Sequence, residues 1–401
     1  MQPLRQTLAD PPLRRLLMAQ TPADFADWLD AVAVIALLSY RWQVGPFVFA
    51  CLAVAYALPY LLAGPAAGAL VDRMEVRRVL ILSNLGRGLA TCALAMAPGW
   101  PVLLALIALR GGADCFFTPA KQAALQALAP PERLTAANGL SHALNQTSKI
   151  VAPSLGGLLL LFLPPAGVFL ITGLLSFLAV AVLTGMPTLP GHSGGQDRKG
   201  LWAEVRDGLA EVRHNAPVHH VIGLTAAGFF AMFFYDTLIG PLFRDLALSE
   251  TTLGLAIASV GAGGVAGALW IGAGTALRRP FLWVAGASVL GALTVAGLGL
   301  AGLLGLNPAP ATVCIAFAAA GFATSCQIVP ARVILQTAVP PERIGRVSAL
   351  SETAASLAIL VAPFPGAALA TAFGAGAAFV VGGALMLAVA IWAAGLARRA
   401  G

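Results

Sequence analysis

The chain has 401 residues, of which 59% are hydrophobic and 10% are charged, and its mean hydropathy is +0.85. An ordinary soluble domain has about 25% charged residues, so no soluble fold can bury this much apolar surface. The net charge of +7 does not indicate nucleic-acid binding, because the Lys and Arg residues stand in ones and twos between apolar segments and form no basic stripe. We therefore expect an all-α protein that crosses a lipid bilayer many times, with about 20 apolar residues in each spanning helix.

Twelve apolar runs, separated by charged or Pro/Gly turns, predict twelve transmembrane helices. They cover roughly residues 14–40, 46–71, 78–98, 100–126, 133–162, 165–187, 217–243, 251–277, 280–304, 309–337, 345–370 and 373–397. The runs form two groups of six. This layout predicts an N-terminal six-helix bundle over residues 1–187 and a C-terminal six-helix bundle over residues 217–401.

A polar connection over residues 188–216 separates the two predicted bundles. It begins with a Gly/Ser-rich stretch and continues with Trp202, Val205, Leu209 and Val212 at helical spacing among charged residues. Such a pattern predicts a linker that ends in an amphipathic helix on the membrane surface.

The placement of Lys and Arg predicts the orientation, since inner loops of membrane proteins are enriched in these residues. If the N-terminus is inside, the outer loops hold Arg41 and Arg244, whereas the inner loops and chain ends hold the other loop cations, Lys121 among them. The N-terminal segment has no cleavable signal pattern, so the first apolar run is expected to be retained. We predict a multi-pass protein of the cell inner membrane with both termini and the linker in the cytoplasm.

The two halves of the sequence repeat. The string PAKQAALQALAPPERL (119–134) returns as PARVILQTAVPPERI (330–344), and the string Val-Ala-Pro at 151–153 returns at 361–363, an offset of 210 residues. Because six predicted spans separate the copies, both copies enter the membrane from the same side. The repeat is therefore parallel, with a pseudo-two-fold axis along the membrane normal and a cavity expected between the halves.

Residues 68–78 read GALVDRMEVRR and lie at the turn between the second and third spans. This string resembles the GxxxDRxxxRR signature of the major facilitator superfamily, and the six-plus-six layout extends the resemblance to the whole chain. The resemblance implies alternating access, with this turn as a conformational gate that latches the two halves in the outward-facing state. Asp72 would face the positive N-terminal end of the eleventh span. The gate residues implied are Gly68, Asp72, Arg73, Arg77 and Arg78.

Three further strings, FTPAKQAAL, PPERLTAANGL and APSLGGLLL, are similar to those of proton-coupled exporters related to macrolide-efflux proteins, siderophore exporters and lysophospholipid transporters. The string APSLGG also resembles the GPxxGG antiporter motif of the fifth span, with Ala152 in place of its first Gly. The resemblance implies proton-coupled export, by antiport, of an amphipathic small molecule such as a drug or siderophore. The alternatives are a lysophospholipid flippase driven by the substrate gradient and a symporter that imports a small nutrient or siderophore.

The first span carries Asp24, Asp27 and Asp30 at i, i+3 and i+6, which places the three carboxylates on one helix face. Asp27 lies roughly 17 Å from Leu16 along the helix, near the middle of the membrane. Charged groups at that depth are costly and indicate function. We predict that Asp27 carries the coupling proton, that Asp30 is the reserve candidate, and that Asp24 neutralises a cytoplasmic Arg.

The fourth span carries Arg110 and Asp114 at i and i+4, a spacing that predicts an ion pair within the helix. The resemblance implies that a fourth-span Arg lies beside the titrating acid. Arg110 and Asp114 therefore join Asp27 and Asp30 as predicted proton-coupling residues, with Arg110 approaching Asp27 across the bundle. The family's RxxQG pattern is not met, because Ala113 and Asp114 stand where Gln and Gly are expected.

Polar residues in other spans predict a substrate cavity. Asn138, His142, Asn145 and Lys149 form a stripe along the fifth span that must face protein or water, and Lys149 would suit an anionic substrate. In the second half, the seventh span holds an aromatic cluster followed by Asp236, and the eleventh span holds Glu352. The predicted cavity residues are His142, Asn145, Lys149, Phe233, Asp236 and Glu352.

Several classes of function are disfavoured by missing patterns. The chain has no GxxxxGK[ST] phosphate loop, so ATP-driven pumping by this chain is not expected. The five cysteines lie in apolar runs without a CxxC pair, so no metal site or cofactor is expected. No hydrolase constellation appears, which favours a carrier over an enzyme. We expect a monomer whose partners are a small amphipathic substrate, protons and the lipid bilayer, with no nucleic acid.

Overall fold

The computed structural model describes residues 9–71, 73–190, 216–273, 280–338 and 344–400, and within these ranges the chain forms sixteen α-helices. They are α1 (Pro11–Ala26), α2 (Ala31–Ala36), α3 (Pro46–Val71), α4 (Val76–Leu94), α5 (Trp100–Asp114), α6 (Phe117–Leu128), α7 (Pro131–Leu159), α8 (Pro165–Leu183), α9 (Ala216–Asp236), α10 (Ile239–Asp245), α11 (Glu250–Ala273), α12 (Pro280–Leu303), α13 (Pro310–Ala338), α14 (Ile344–Val361), α15 (Pro363–Phe373) and α16 (Ala375–Ala400). A π-helical turn, Leu37–Arg41, follows α2 directly. The predicted all-α fold is confirmed.

Each predicted span corresponds to helical chain, but four spans are interrupted where the sequence predicted continuous helices. The first span breaks between α1 and α2, the fourth between α5 and α6, the seventh between α9 and α10, and the eleventh between α14 and α15. The seventh span bends by 42° at its break. The eleventh breaks at Ala362, directly before Pro363, which has no N–H to donate to the preceding helical turn.

Eight helical segments within the described residues are long and apolar enough to cross a bilayer, and nine if the bent pair of α9 and α10 counts as one span. The first, third and fifth predicted spans are not among them. These spans carry the three aspartates of the first helix, Arg87 of α4 and the polar stripe of α7. The low hydropathy of these three spans therefore reflects the polar groups that they carry.

The chain divides into two compact units, one of Met1–Trp42 with Val54–Gly194 and the other of Gln43–Ala53 with Gly195–Gly401. The change at Gly194 falls inside the predicted linker. Within the first unit, α1, α4, α6 and α8 share an apolar core, and α4 packs closely on α8. A Cβ on Gly88 would lie 2.5 Å from the ring of Phe177, so this close approach requires glycine.

The helices of the second unit approach one another through glycine. A Cβ on Gly263 of α11 would lie 1.9 Å from the carbonyl oxygen of Ala318 in α13, and a Cβ on Gly321 of α13 would lie 2.0 Å from that of Val260. Backbone contacts of this kind, made through small residues, are typical of helix pairs in membranes. The second unit is therefore held together by van der Waals contact between helix backbones.

Most of the predicted linker, including the proposed amphipathic helix with Trp202 and Val205, lies outside the described residues. Its first residues are tied to the start of α4. The N–H of Val76 donates to the carbonyl of Leu189 at 2.9 Å, and the N–H of Leu189 donates to Oε1 of Glu75 at 3.3 Å.

Candidate transport site

Arg87 of α4 lies at the centre of a buried ionic network in the first unit. Its side chain is 2% exposed and contacts two carboxylates from two other helical segments. One guanidinium nitrogen lies 2.9 Å from Oδ1 of Asp114, and the other pairs with Oδ1 of Asp27 and donates to the carbonyl of Ala23 at 2.8 Å. The guanidinium also lies over the ring of Phe117, 5.2 Å from its centroid, at a distance typical of a cation–π contact.

Arg110 of α5 makes a separate pair with Asp30, with 2.5 Å between its nitrogen and Oδ2. The Asp30 side chain is 0% exposed and lies at the break between α1 and α2. Arg110 also lies 5.9 Å from the ring centroid of Tyr56. This pair joins the first and fourth spans by one acid and one base, so its charges balance.

Asp24, in the last turn of α1, forms the third part of the network. Its carboxylate lies 3.7 Å from Nζ of Lys121, and it accepts a hydrogen bond of 2.7 Å from Nε2 of Gln20. Ser141 of α7 and Gln20 exchange two further hydrogen bonds of 2.8 Å. The Asp24 pair is therefore built into the contacts of α1, α6 and α7.

These contacts correct four predictions. Arg110 and Asp114 do not pair within their helix, because Arg110 reaches Asp30 while Asp114 reaches Arg87. Asp27 is paired with Arg87 and not with Arg110. Asp24 is neutralised by Lys121 and not by an Arg, and Lys121, which was counted among the loop cations, is 5% exposed inside the unit. In each case the partner comes from another span, so spacing along one helix could not identify it.

The ionic network has one more negative charge than positive charges. Among the residues that the structure describes, it contains four carboxylates, of Asp24, Asp27, Asp30 and Asp114, and three cationic groups, of Arg87, Arg110 and Lys121. Two acids have a base of their own, and the remaining two share Arg87. The hydroxyl of Tyr60 donates to the second oxygen of Asp114, which gives that acid an additional partner. The excess negative charge therefore lies at the Asp27–Arg87–Asp114 group.

The predicted cavity residues of the fifth span lie on α7. His142 and Lys149 are exposed and Asn145 is half-buried. In the second unit, Phe233 and Asp236 lie on one face of α9, whereas the side chain of Glu352 in α14 lies outside the described residues. The structure therefore brings together the predicted proton-coupling residues but does not bring the predicted cavity residues into one described cluster.

The gate residues are described in part. Asp72 lies outside the described residues, as do the side chains of the eleventh span near its expected partner, and Gly68 lies in α3. Arg73 is exposed, and Arg78 pairs with Glu75 at 3.1 Å. Arg77 donates to the carbonyl of Thr184 at 2.6 Å, just beyond the end of α8. A cation at a helix C-terminus is stabilising, so Arg77 also anchors α8.

Arg87, Lys121 and Tyr60 are the members of the network that sequence reasoning missed or misplaced. For Arg87 a signal was present, because an Arg in the middle of the third span is as costly as an Asp in the first. Four acids in two spans also require buried cations nearby, and besides Arg110 the spans of this half offer Arg87, Lys121 and Lys149.

The comparisons with known proteins agree with this architecture. Residues 16–302 match the family model of the Major Facilitator Superfamily. The chain is 26% identical to the uncharacterized MFS-type transporter YfiS of Bacillus subtilis, over 94% of this chain and 91% of that protein. It is 28% identical to macrolide efflux protein A of Streptococcus pyogenes, over 83% of each chain.

Solved structures match the fold at low sequence identity. A bacterial homolog of the human lysosomal transporter Spinster, in an inward-facing and unoccupied conformation, has a TM-score of 0.67 and 14% identity, over 96% of this chain and 95% of that chain. The chain belongs to the major facilitator superfamily. It is a multi-pass membrane transporter of a small molecule.

Proposed function

We propose that the protein exports an amphipathic small molecule across the cell inner membrane in exchange for protons, with both termini in the cytoplasm. The observation that carries the proposal is the excess negative charge of the buried network, in which Asp27 and Asp114 share the single cation Arg87. A buried charge without a partner costs several kcal/mol, so the group gains stability when a proton or another cation balances the second acid. This is the property required of a proton-exchanging site.

Within that group, Asp27 is the acid that exchanges the proton. Its side chain is 23% exposed, compared with 13% for Asp114, 1% for Asp24 and 0% for Asp30. Asp114 is also held by Tyr60. Asp30 is balanced by Arg110, so that pair serves as a fixed link between the first and fourth spans, and Arg110 does not take the proton itself.

The names of two relatives favour export over import. One is the macrolide efflux protein of Streptococcus pyogenes, and another is the multidrug efflux pump Tap of Mycolicibacterium fortuitum, which is 28% identical over 78% of this chain. Alternating access between two six-helix bundles, with the turn at residues 68–78 as the gate, supplies the route. The outward-facing state then releases substrate and binds a proton, and the inward-facing state releases that proton and binds the next substrate.

Transport in proteoliposomes tests the proposal. A radiolabelled macrolide is the probe. The wild type should accumulate it in the lumen against its gradient only when the lumen is more acidic than the medium, so that protons leave as substrate enters. Asp27→Asn should abolish accumulation and retain downhill exchange, because the substituted side chain cannot release a proton. Asp10→Asn, at the inner end of α1, is the matched control and should behave as wild type.

The alternatives give different outcomes. Transport by the wild type that ignores the pH gradient would contradict antiport. If labelled lysophospholipid then moved down its own gradient, the flippase alternative would be supported. Accumulation driven by protons moving in the same direction as substrate would support the symporter.

A further inference from the structure

One face of α9 carries two aromatic rings and one carboxylate. Phe229, Phe233 and Asp236 stand at i, i+4 and i+7, so their side chains share a face of the helix. The two rings are stacked, with centroids 6.3 Å apart and planes at 29°, and all three side chains are half-buried. By contrast, Phe234 and Tyr235 are 7% and 8% exposed and pack into the unit.

Asp236 stands where a carboxylate does not stabilise the fold. It is the last residue of α9, and the C-terminal end of a helix carries partial negative charge that repels an acid. Among the residues that the structure describes, none forms a salt bridge or hydrogen bond with its carboxylate. An ionisable group within a span is also costly. Among the described residues, this carboxylate therefore has no counter-ion with which a bound cation would compete.

The first unit supplies an internal comparison. The spans that begin with α1 and α9 are both broken, and each break has an aspartate beside it, Asp30 in the first unit and Asp236 in the second. Asp30 has Arg110 at 2.5 Å, whereas Asp236 has no cationic partner among the described residues. The two aspartates lie on opposite sides of their breaks and differ in their partners, since Asp30 has a cation beside it and Asp236 has none among the described residues.

We propose that Asp236, with Phe229 and Phe233, binds the cationic group of an amphipathic substrate. The carboxylate and the helix end attract the positive charge, and the ring faces bind a cation within about 6 Å of their centroids while also contacting its apolar parts. The inference rests on the proposed export function and deepens it by naming the substrate class, a lipophilic monocation. Proton exchange and substrate recognition are then assigned to different units, the first to Asp27 and the second to Asp236.

Equilibrium binding to the purified protein in nanodiscs tests the site without any gradient. Tetraphenylphosphonium and tetraphenylborate are probes of nearly the same size and shape and of opposite charge. After subtraction of binding to empty discs, the wild type should bind the cation at least tenfold more tightly than the anion. Tighter binding of the anion would overturn the proposal and favour recognition through Lys149.

Substitutions separate recognition from folding. Asp236→Asn should weaken tetraphenylphosphonium binding at least tenfold, Asp236→Glu should restore most of it, and Phe233→Leu should weaken it several-fold. Asp245→Asn, nine residues further along the same span and exposed, is the control and should leave binding unchanged. The melting temperature of Asp236→Asn should not fall, because an unpaired charge is removed. Unchanged cation binding by Asp236→Asn, or an equal loss of both probes, would overturn the site.

The two proposals fail separately. If cation binding depends on Asp236 but transport ignores the pH gradient, then proton coupling is wrong and the substrate site stands. If transport follows the pH gradient but the cation is bound no better than the anion, then the substrate site is wrong and proton coupling stands.

Discussion

At the scale of single residues, Arg87 pairs with two acids, whereas a simple ion pair joins one acid to one base. Its single positive charge is shared by two carboxylates, so the group of Asp27, Arg87 and Asp114 has one proton or cation too few. Removing one member of a buried ionic group leaves the others uncompensated, which is more damaging than removing acid and base together. The network should therefore respond very differently to single and paired substitutions.

Arg87→Gln should lower the free energy of unfolding by about 3–5 kcal/mol, because it leaves Asp27 and Asp114 buried without a cation. The double variant Arg87→Gln with Asp114→Asn should recover part of this loss, with a coupling energy of about 0.5–3 kcal/mol between the two positions. Denaturant or thermal unfolding of the purified protein measures both quantities. Strictly additive effects of the two substitutions would mean that the 2.9 Å contact between them carries no energy.

At the scale of helices, the breaks in the first and seventh spans are held by glycines of the fifth and eleventh spans. A Cβ on Gly156 of α7 would lie 1.8 Å from the carbonyl oxygen of Leu29, and a Cβ on Gly366 of α15 would lie 1.8 Å from that of Phe234. The two glycines are 210 residues apart, the offset of the sequence repeat. A similar close contact between a glycine and a backbone carbonyl therefore occurs in both halves, near the acids that we propose for proton exchange and substrate binding.

Gly156→Ala should destabilise the protein by about 1–3 kcal/mol or more, because the contacted atom is backbone and cannot rotate away. Gly139→Ala in the same helix is the matched control, since a Cβ there meets nothing within 4 Å. That substitution should be neutral or stabilising by about 0.5–1 kcal/mol, the usual gain from replacing Gly in a helix. Melting temperatures of the two variants, measured side by side, check the prediction, and equal values would show that α7 does not rest on this carbonyl.

At the scale of the whole molecule, the strongest prediction is the orientation. The Lys and Arg residues are concentrated in loops that lie on one side of the predicted membrane, which the positive-inside rule assigns to the cytoplasm. Lys121 lies in the buried network and not in a loop, so it is removed from the count of loop cations. The asymmetry between the two sides persists without it. The linker and both termini should therefore be cytoplasmic.

Ser193→Cys, introduced into a background without the five natural cysteines, should react with a membrane-impermeant maleimide only after the cells are opened. A cysteine in place of Ala247, between α10 and α11, should react in intact cells, since that connection is predicted to be outside. Labelling of position 193 in intact cells would overturn the orientation and the number of spans together.

The sequence by itself determined the all-α membrane fold, the two groups of six spans, the internal repeat and the family signature. These features depend on hydropathy and on strings of consecutive residues, which are local properties of the chain. It also identified Asp27, Asp30, Arg110 and Asp114 as a group, because charged residues inside spans are rare enough to stand out.

Only the tertiary structure decided which of these charges meet. Partners such as Arg87 with Asp27, Arg110 with Asp30 and Lys121 with Asp24 lie 60, 80 and 97 positions apart, on different spans. Spacing along one helix identifies neighbours on that helix, but pairing between helices depends on how each helix is rotated and where it breaks. Those two quantities are set by backbone contacts such as that of Gly156 with Leu29, which involve no hydropathy signal.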